Sequence, residues 1–302
     1  MTEPQHWIAV PAHNNTYVLA EGPHWDPQRA LLSWVDIPAG NLWTSTALAD
    51  AAPELEYHVA DDLGVAVPNS NGGWICGVGP SVAHIVDAKV QGQIVLETQG
   101  ARLNDGKVDP AGRFWVGSKG HYNEPGRGHL YRIDHDGTFE EVLGGLTISN
   151  GLGWSPDERT MYLTDSAVGN IYQFDYDSIT GAISNQRLFV HLEQHEGSPD
   201  GLTIDANGNV WTALWGGSSV RQYNPAGQLI GLIAVPTSHV TSCTFIGESL
   251  RSLAITTAKD ELPEDVLSRE AHAGAIFIAD VNTTGTSGRP CTIFTDAWDR
   301  KT

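Results

Sequence analysis

Oxygen-bearing side chains recur at one position of a phrase that is repeated along the chain. The phrase consists of a polar residue, a glycine, an apolar run, a turn and a second apolar run. If the copies surround a common axis, the residue before the first glycine faces the same space in each copy. From the first copy to the fifth, this residue is Glu21, Leu63, Asp105 (with Asn104 before it), Asn150 and Asp200; in the fainter sixth copy, which has Cys243 in place of the glycine, it is Ser242.

Carboxylate and amide oxygens in such a ring suit a hard cation. Two carboxylates and an asparagine carbonyl that point inward would be poorly solvated, and the carboxylates would repel one another. A divalent metal would relieve both effects. With three protein ligands and water in the other positions, its coordination would stay open, as a catalytic metal requires. The alternative is that these residues end strands and hydrogen-bond loop amides.

The turns of the six copies predict the elements that position these side chains. The turn residues lie 40 to 48 positions apart, which is the length of one four-stranded propeller blade. Turns such as DPQR, NSNG and DANG favour hairpin dihedrals, and the flanking runs are β-branched or aromatic. The turn residues are Asp26, Asn69, Asp109, Asp157, Asp205 and Gly247. The sequence therefore predicts an all-β fold, a six-bladed β-propeller with a central channel.

The organisation of the chain indicates one unit. No Pro- or Ser-rich linker divides it, so residues 1–302 are predicted to form a single six-bladed β-propeller domain. The opening segment HWIAVPAHNNTYVLA is strand-like and the chain ends in CTIFTDA, so the two termini are expected to share a blade and close the ring. The tryptophans expected to pack between the blades are Trp25, Trp34, Trp74, Trp115, Trp154 and Trp211.

Several of these segments resemble one known family. EGPHWD, RLNDGKVDPAGRFWVG, ISNGLGWSPD and SPDGLTIDANGNVW, followed by TSCTF, are similar to the regucalcin, gluconolactonase and luciferin-regenerating-enzyme family, whose members are six-bladed propellers. The resemblance implies that Glu21, Asn150 and Asp200 bind a divalent metal and that Asp200 is also the general base. It further implies that Arg102 and Asn104 contact the substrate.

One loop departs from the family pattern. Where regucalcin-like members carry an acidic pair, this chain reads GSKGHYNEPGRG, which is expected to place Lys119, His121 and Tyr122 around the mouth of the channel. His121 and Tyr122 are therefore predicted to be substrate-binding residues. One hypothesis is that Lys119 or His121 meets an anionic group on the substrate. The alternative is that the loop only packs differently.

Composition narrows the range of partners and locations. With 17 Lys and Arg against 36 Asp and Glu, the formal charge of −19 repels phosphate backbones and anionic lipids. Nucleic acid and membrane are therefore not expected as partners. The three cysteines have no CxxC spacing, and the N-terminus lacks a basic region followed by an apolar core. A cytoplasmic location is expected.

The function predicted from the sequence is hydrolysis of sugar lactones by a metal-dependent lactonase. The metal would polarise the carbonyl of an aldonolactone, such as the glucono-, xylono- or arabinono-lactone, and Asp200 would activate water. One divalent ion is expected, and the ligand set admits calcium, zinc, manganese, magnesium or iron. The alternatives are a non-enzymatic calcium-binding regulatory propeller and a phosphotriesterase-type hydrolase. The sugar, the metal and the oligomeric state are left open.

Overall fold

Each copy of the repeated phrase folds as the inner hairpin of a four-stranded sheet. The computed structural model describes residues 3–46, 52–97, 100–282 and 286–295. Within these ranges there are 25 strands, one short α-helix and two single turns of 3₁₀ helix at Ser166–Val168 and Gln194–Glu196. In chain order these elements are β1 (Gln5–Ile8), β2 (Val10–Pro11), β3 (Ala20–Asp26), β4 (Leu31–Asp36), β5 (Asn41–Ser45), β6 (Glu54–His58), β7 (Leu63–Pro68), β8 (Trp74–Val78), β9 (Ser81–Val86), β10 (Lys89–Val95), β11 (Ala101–Val108), β12 (Phe114–Gly120), β13 (Gly128–Ile133), β14 (Phe139–Leu146), β15 (Ser149–Trp154), β16 (Thr160–Asp165), β17 (Asn170–Tyr176), β18 (Ile183–His191), β19 (Ser198–Ile204), β20 (Val210–Trp215), β21 (Ser219–Tyr223), β22 (Leu229–Ala234), β23 (His239–Ile246), β24 (Ser252–Ala258), α1 (Glu264–Leu267) and β25 (Phe277–Asp280).

The strands form six blades around a common axis. β3–β6, β7–β10, β11–β14, β15–β18 and β19–β22 are five meanders, and β23, β24, β25 and β2 make the sixth blade. The innermost strands are β3, β7, β11, β15, β19 and β23; each contacts the next, and β23 contacts β3. The predicted all-β, six-bladed propeller is confirmed. None of the helices in the described ranges is long and apolar enough to cross a bilayer.

The ring closes through the start of the chain. β2 pairs antiparallel with β25, opposing Val10 to Ile278, while β1 adds in parallel to the outer edge of β22. The expectation that the N-terminal segment completes the last blade is therefore right, but the expected role of CTIFTDA is wrong. Phe294 bridges Asn69 of the second blade instead, because its buried ring packs on Phe114 at 6.5 Å between centroids. Residues 296 and 297 of that segment lie outside the described residues.

The core fills the spaces between blades. The six tryptophans predicted to lie there are all buried in apolar clusters between neighbouring sheets, as expected. Trp34, Trp115 and Trp211 are among the largest fully buried side chains. These contacts fix the angle between adjacent blades, and with it the position of every inner strand around the channel.

A buried aspartate organises the inner hairpin in two blades. The Oδ1 of Asp109 accepts hydrogen bonds from two amides of its own turn, and its Oδ2 accepts from Arg113 Nε at 2.7 Å and Trp115 Nε1 at 2.9 Å. Asp205 repeats this pattern with Trp211 Nε1 at 3.0 Å. In the fourth blade the predicted turn residue Asp157 is exposed, and Ser155 takes the equivalent place by accepting from the amide of Thr160.

Replacing Asp109 by asparagine is expected to lower the free energy of unfolding by about 3 kcal/mol, because it leaves the buried Arg113 guanidinium without its counter-charge. Urea denaturation measures the change. The matched control is Asp157→Asn, in a turn at the same place in the next blade, which should cost about 0.5 kcal/mol or less. Equal midpoints for the two variants would contradict this role of the buried aspartate.

Candidate active site

A cavity of about 270 Å³ opens where four of the inner strands begin. It is lined by Glu21 near the start of β3, Arg102 near the start of β11, Asn150 of β15 and Asp200 of β19. The three predicted metal ligands therefore face one space although they come from three separate blades. All three are buried, with relative exposures of 5–6%.

A local irregularity of the inner strands turns these side chains toward the axis. In every blade the pairing of the inner strand with its neighbour shifts register at this point, for example between Glu21 and His24 and between Pro199 and Leu202. Such bulges redirect a side chain out of the normal strand alternation. They explain why the same position of each repeat points to the channel.

The glycines after Asn150 and Asp200 are required by the close approach of adjacent inner strands. A Cβ at Gly151 would lie 2.5 Å from the carbonyl oxygen of Asp200, and a Cβ at Gly201 would lie 2.1 Å from Ser242 Oγ. Both separations are shorter than non-bonded atoms allow. The repeated pairing of a polar residue with glycine thus brings ligand-type side chains from neighbouring blades together.

Hydrogen bonds leave oxygens free to face the cavity. Asn150 Nδ2 donates to Ser166 Oγ at 3.1 Å, which fixes the amide so that its Oδ1 faces away from that partner. Asn150 Oδ1 and Asp200 Oδ1 are buried and have no hydrogen-bond partner within the described chain. Glu21 Oε2 accepts from the amide of Gly22 at 2.8 Å. Buried oxygens without donors are costly unless a cation or a ligand satisfies them.

The pKa shifts of Glu21 and Asp200 also indicate that a cation belongs between these two carboxylates. Burial raises the pKa of Glu21 well above its ordinary value, and the charges of Asp200 and Asp105 raise it further. Burial and Asp105 likewise raise the pKa of Asp200, against the opposing effect of Lys119. Both carboxyl groups therefore lack sufficient positive charge nearby, and the residues present fit a divalent cation.

The chemistry of this donor set limits the kind of metal site. No group of three or more His, Cys, Asp or Glu residues that could hold a metal occurs in the described part of the chain. The set formed by Glu21, Asn150 and Asp200 is not such a group, because one of its three members is an asparagine. Ligand sets made only of oxygen atoms favour hard cations, whereas thiolate and imidazole ligands favour softer ones.

Three of the six repeat positions do not join the cavity. Asp105 and Ser242 line a separate cavity of about 110 Å³, together with His24 and Lys107. Leu63 is buried among apolar residues. The expectation that all six positions share one ring is therefore only partly right. Lys107, which lines the same separate cavity, holds down the pKa of Asp105, although burial raises it.

Arg102 and Asn104 both line the cavity and are connected to each other. Arg102 Nη1 donates to Asn104 Oδ1 and to the carbonyl of Leu103, each at 2.9 Å, and its Nε lies 3.2 Å from an Asp62 carboxylate oxygen. Asn104 Nδ2 donates to the carbonyl of Ser149 at 3.0 Å. The guanidinium is thus held rigidly, and no described residue accepts a hydrogen bond from Nη2.

The loop after β12 differs from expectation. Lys119 lines the cavity, but the predicted substrate-binding residues His121 and Tyr122 are not among its lining residues, and Tyr122 is 88% exposed. The reason is a tight turn in which the Asn123 amide donates to the Gly120 carbonyl and Asn123 adopts a φ of 57°. This turn directs Asn123 to the cavity in place of the two residues before it.

A second ring of residues also lines the cavity, and of its members only Lys119 was expected near the mouth from the sequence. Ile37, Lys119, Ser166 and Trp215 all line the cavity. In each of these blades, one residue of the second strand pairs with the residue just before the hairpin turn. The cavity-lining residue lies five positions after that second-strand residue. Aligning the second strands of the repeats would have found them. Asp260 and Glu261, in the segment before α1, complete the rim.

Comparison with known proteins identifies a family and a fold that agree with the propeller described above. Residues 19–259 match the family described as SMP-30/Gluconolactonase/LRE-like region. Pentonolactonase XacC of Haloferax volcanii is 34% identical over 271 residues, covering 88% of this chain and 92% of that protein. Regucalcin of Oryctolagus cuniculus is 34% identical over 268 residues, covering 85% and 89%. The solved structure of a calcium-binding regucalcin from Agrobacterium tumefaciens has a TM-score of 0.90 at 23% identity, covering 97% and 99%, and so supports the fold.

Proposed function

Because the chain belongs to the SMP-30/gluconolactonase/LRE-like family, we propose that it is a metal-dependent lactonase that opens neutral aldonolactones to aldonic acids. The observation that carries this proposal is the cavity itself. Two buried carboxylates and two partnerless oxygens face a space that also contains a rigid guanidinium. A binding site for an ion alone would not need Arg102 beside it.

Glu21, Asn150 and Asp200 would hold the divalent cation. Once bound, the cation would polarise the lactone carbonyl and stabilise the negative charge that develops on its oxygen. The amide oxygen of Asn150 is available for this role because Ser166 engages only the Nδ2 side of the group.

Asp200 is the proposed general base. Its Oδ1 has no donor among the described residues, so it can accept a proton from the water that attacks the carbonyl carbon. The position of Asp200 is fixed by the close packing of the adjacent Gly201 against Ser242 in the next blade. A base held this firmly loses little entropy when the reaction begins.

Arg102 and Trp215 are the proposed substrate contacts. The free Nη2 of Arg102 can donate to sugar hydroxyls, while Asn104 acts mainly by fixing the guanidinium. Trp215 lines the same cavity and stacks on His239, with 3.9 Å between ring centroids. Its indole offers an apolar surface to the C–H groups of a sugar ring. A volume of about 270 Å³ suits a small ligand of this kind.

Removing the metal is expected to reduce lactone opening to the spontaneous rate. Purified protein would be stripped with chelator and assayed by proton release from gluconolactone, xylonolactone and arabinonolactone. Activity should return with one or more of the calcium, manganese, magnesium, iron and zinc ions.

Two outcomes would contradict the proposal. Stripped protein that opens lactones as fast as reloaded protein would show that no metal takes part. Protein that binds calcium tightly but opens none of the lactones would favour the non-enzymatic calcium-binding function instead.

A further inference from the structure

Lys119 occupies an unusual place beside Arg102. The two residues are directly paired in the antiparallel ladder of β11 and β12, and Lys119 also bridges Ile148 at the start of the next blade. Directly opposed residues project from the same face of a sheet, and like charges in that arrangement destabilise it. Both side chains line the cavity, so the protein places two cations side by side in its candidate active site.

The two cationic side chains differ in their hydrogen-bond and salt-bridge partners. Arg102 is engaged by Asp62, Asn104 and the carbonyl of Leu103. By contrast, no hydrogen-bond or salt-bridge partner for Lys119 Nζ exists in the ranges that the structure describes. Burial and the charge of Arg102 lower the pKa of Lys119, against the opposing charges of Glu261, Asp200 and Asp62. An ammonium group with free N–H bonds is thus aimed into the cavity.

The position of Lys119 relative to Asp200 gives it a chemical use. The two side chains come from the third and fifth blades, line the same cavity and interact electrostatically across it. The carboxylate of Asp200 can accept a proton, whereas the ammonium group of Lys119 can only donate one. A hydrolysis that breaks a ring C–O bond needs both, because water must lose a proton and the departing ring oxygen must gain one.

We propose that Lys119 is the general acid that protonates the ring oxygen when the lactone opens. This inference rests on the proposed function. Water attacks the carbonyl carbon and its proton passes to Asp200, so that a tetrahedral centre forms. The ring C–O bond then breaks, and the electron pair stays on the ring oxygen, which takes a proton from Lys119 Nζ. Asp200 returns its proton through solvent to the neutral amine, and the new carboxylic acid ionises.

The charges around the mouth favour this role over binding of an anionic substrate. Asp260 and Glu261 line the same cavity, and Asp62 lies against Arg102. A carboxylate or phosphate on the substrate would meet these three acidic groups on its way to Lys119. A neutral lactone meets no such repulsion.

The test compares two leaving groups in two variants, Lys119→Met and Lys119→Arg. Gluconolactone expels an alkoxide, which needs a proton, whereas dihydrocoumarin expels a phenolate, which needs one far less. Both variants should lose about 100-fold in kcat with gluconolactone and far less with dihydrocoumarin, with little change in KM. Arginine must fail as methionine does, because it keeps the charge but is too weak an acid. Lys89→Met, on the exposed β10, is the matched control.

Chemical rescue separates a missing acid from a damaged site. In Lys119→Ala, added ethylammonium should restore gluconolactone opening in a saturable way, and the same salt should leave the wild-type rate unchanged.

Full activity in Lys119→Arg, an equal loss with both substrates, or absence of rescue would overturn the proposal. Selective loss with gluconate-derived lactones that carry a carboxylate or phosphate would assign Lys119 to anion binding instead. A wild-type protein that opens neither substrate would contradict the proposed function itself, whereas normal wild-type activity with unaffected variants would refute only the role of Lys119.

Discussion

Replacing Asp200 by asparagine is expected to reduce kcat for lactone opening by at least about 1,000-fold, within the range that general bases supply. The amide keeps the size and the hydrogen-bonding shape of the side chain but cannot accept a proton from water. It also removes one of the two negative charges proposed to hold the cation. Initial rates at saturating lactone and saturating metal separate the loss of the base from the loss of the ion.

The control for this variant is Asp265→Asn, which changes an exposed aspartate of α1 that pairs with Arg269. Its kcat should equal that of the wild type. If Asp200→Asn kept more than a tenth of the wild-type rate when loaded with metal, another residue would have to activate the water.

Glu21→Gln is expected to have opposite effects on metal binding and on the stability of the metal-free protein. The affinity for the cation should fall by at least about 100-fold, which is as much as the loss of a residue that merely supports a ligand can cost. The metal-free variant should nevertheless be more stable than the metal-free wild type at pH 8, by roughly 0.5–2 kcal/mol, as is usual when a functional residue is replaced. Isothermal titration and urea denaturation measure the two quantities.

The pH dependence follows from the direction of the pKa shift. Folding raises the pKa of Glu21 above its ordinary value of 4.5 and that of Asp200 above 3.8. At pH values below these ordinary values both states hold the protons, and the folded state keeps its full stability. As the pH rises above about 4, the unfolded chain ionises first, so stability is lost until the folded groups also ionise. Metal-free wild type should therefore be less stable at pH 8 than at pH 5.

In Glu21→Gln this loss should be smaller, and bound metal should abolish it in the wild type, because the cation stabilises the ionised carboxylates. Metal-free wild type that is equally stable at both pH values would show that the two carboxyl groups are not buried together without a counter-charge.

The inner ring of the site could be predicted from the sequence because its physical cause is visible there. A polar residue followed by glycine marks both the bulge that turns the side chain inward and the close approach of the next strand, as at Asn150 and Gly151. The second ring has no such mark. Lys119, Ser166 and Trp215 share a strand position but not a residue type, so only their register relates them.

The misplacement of His121 and Tyr122 has a different cause. The composition of the loop suggested that polar and aromatic residues near the mouth would face it. A single left-handed residue, Asn123, decides which side chains do so. Turn geometry of this kind depends on one backbone torsion, and the sequence GHYNE does not specify which residue adopts it.

The pairing of Val10 with Ile278 has a consequence for synthesis on the ribosome. β1 and β2 must wait, unpaired, until β22 and β25 have emerged before their sheets can be completed. During that interval the nascent protein exposes strand edges that could join with those of other chains. Contacts so distant in sequence also slow the final closure. Cells that produce this protein rapidly would therefore depend on chaperones that shield those edges.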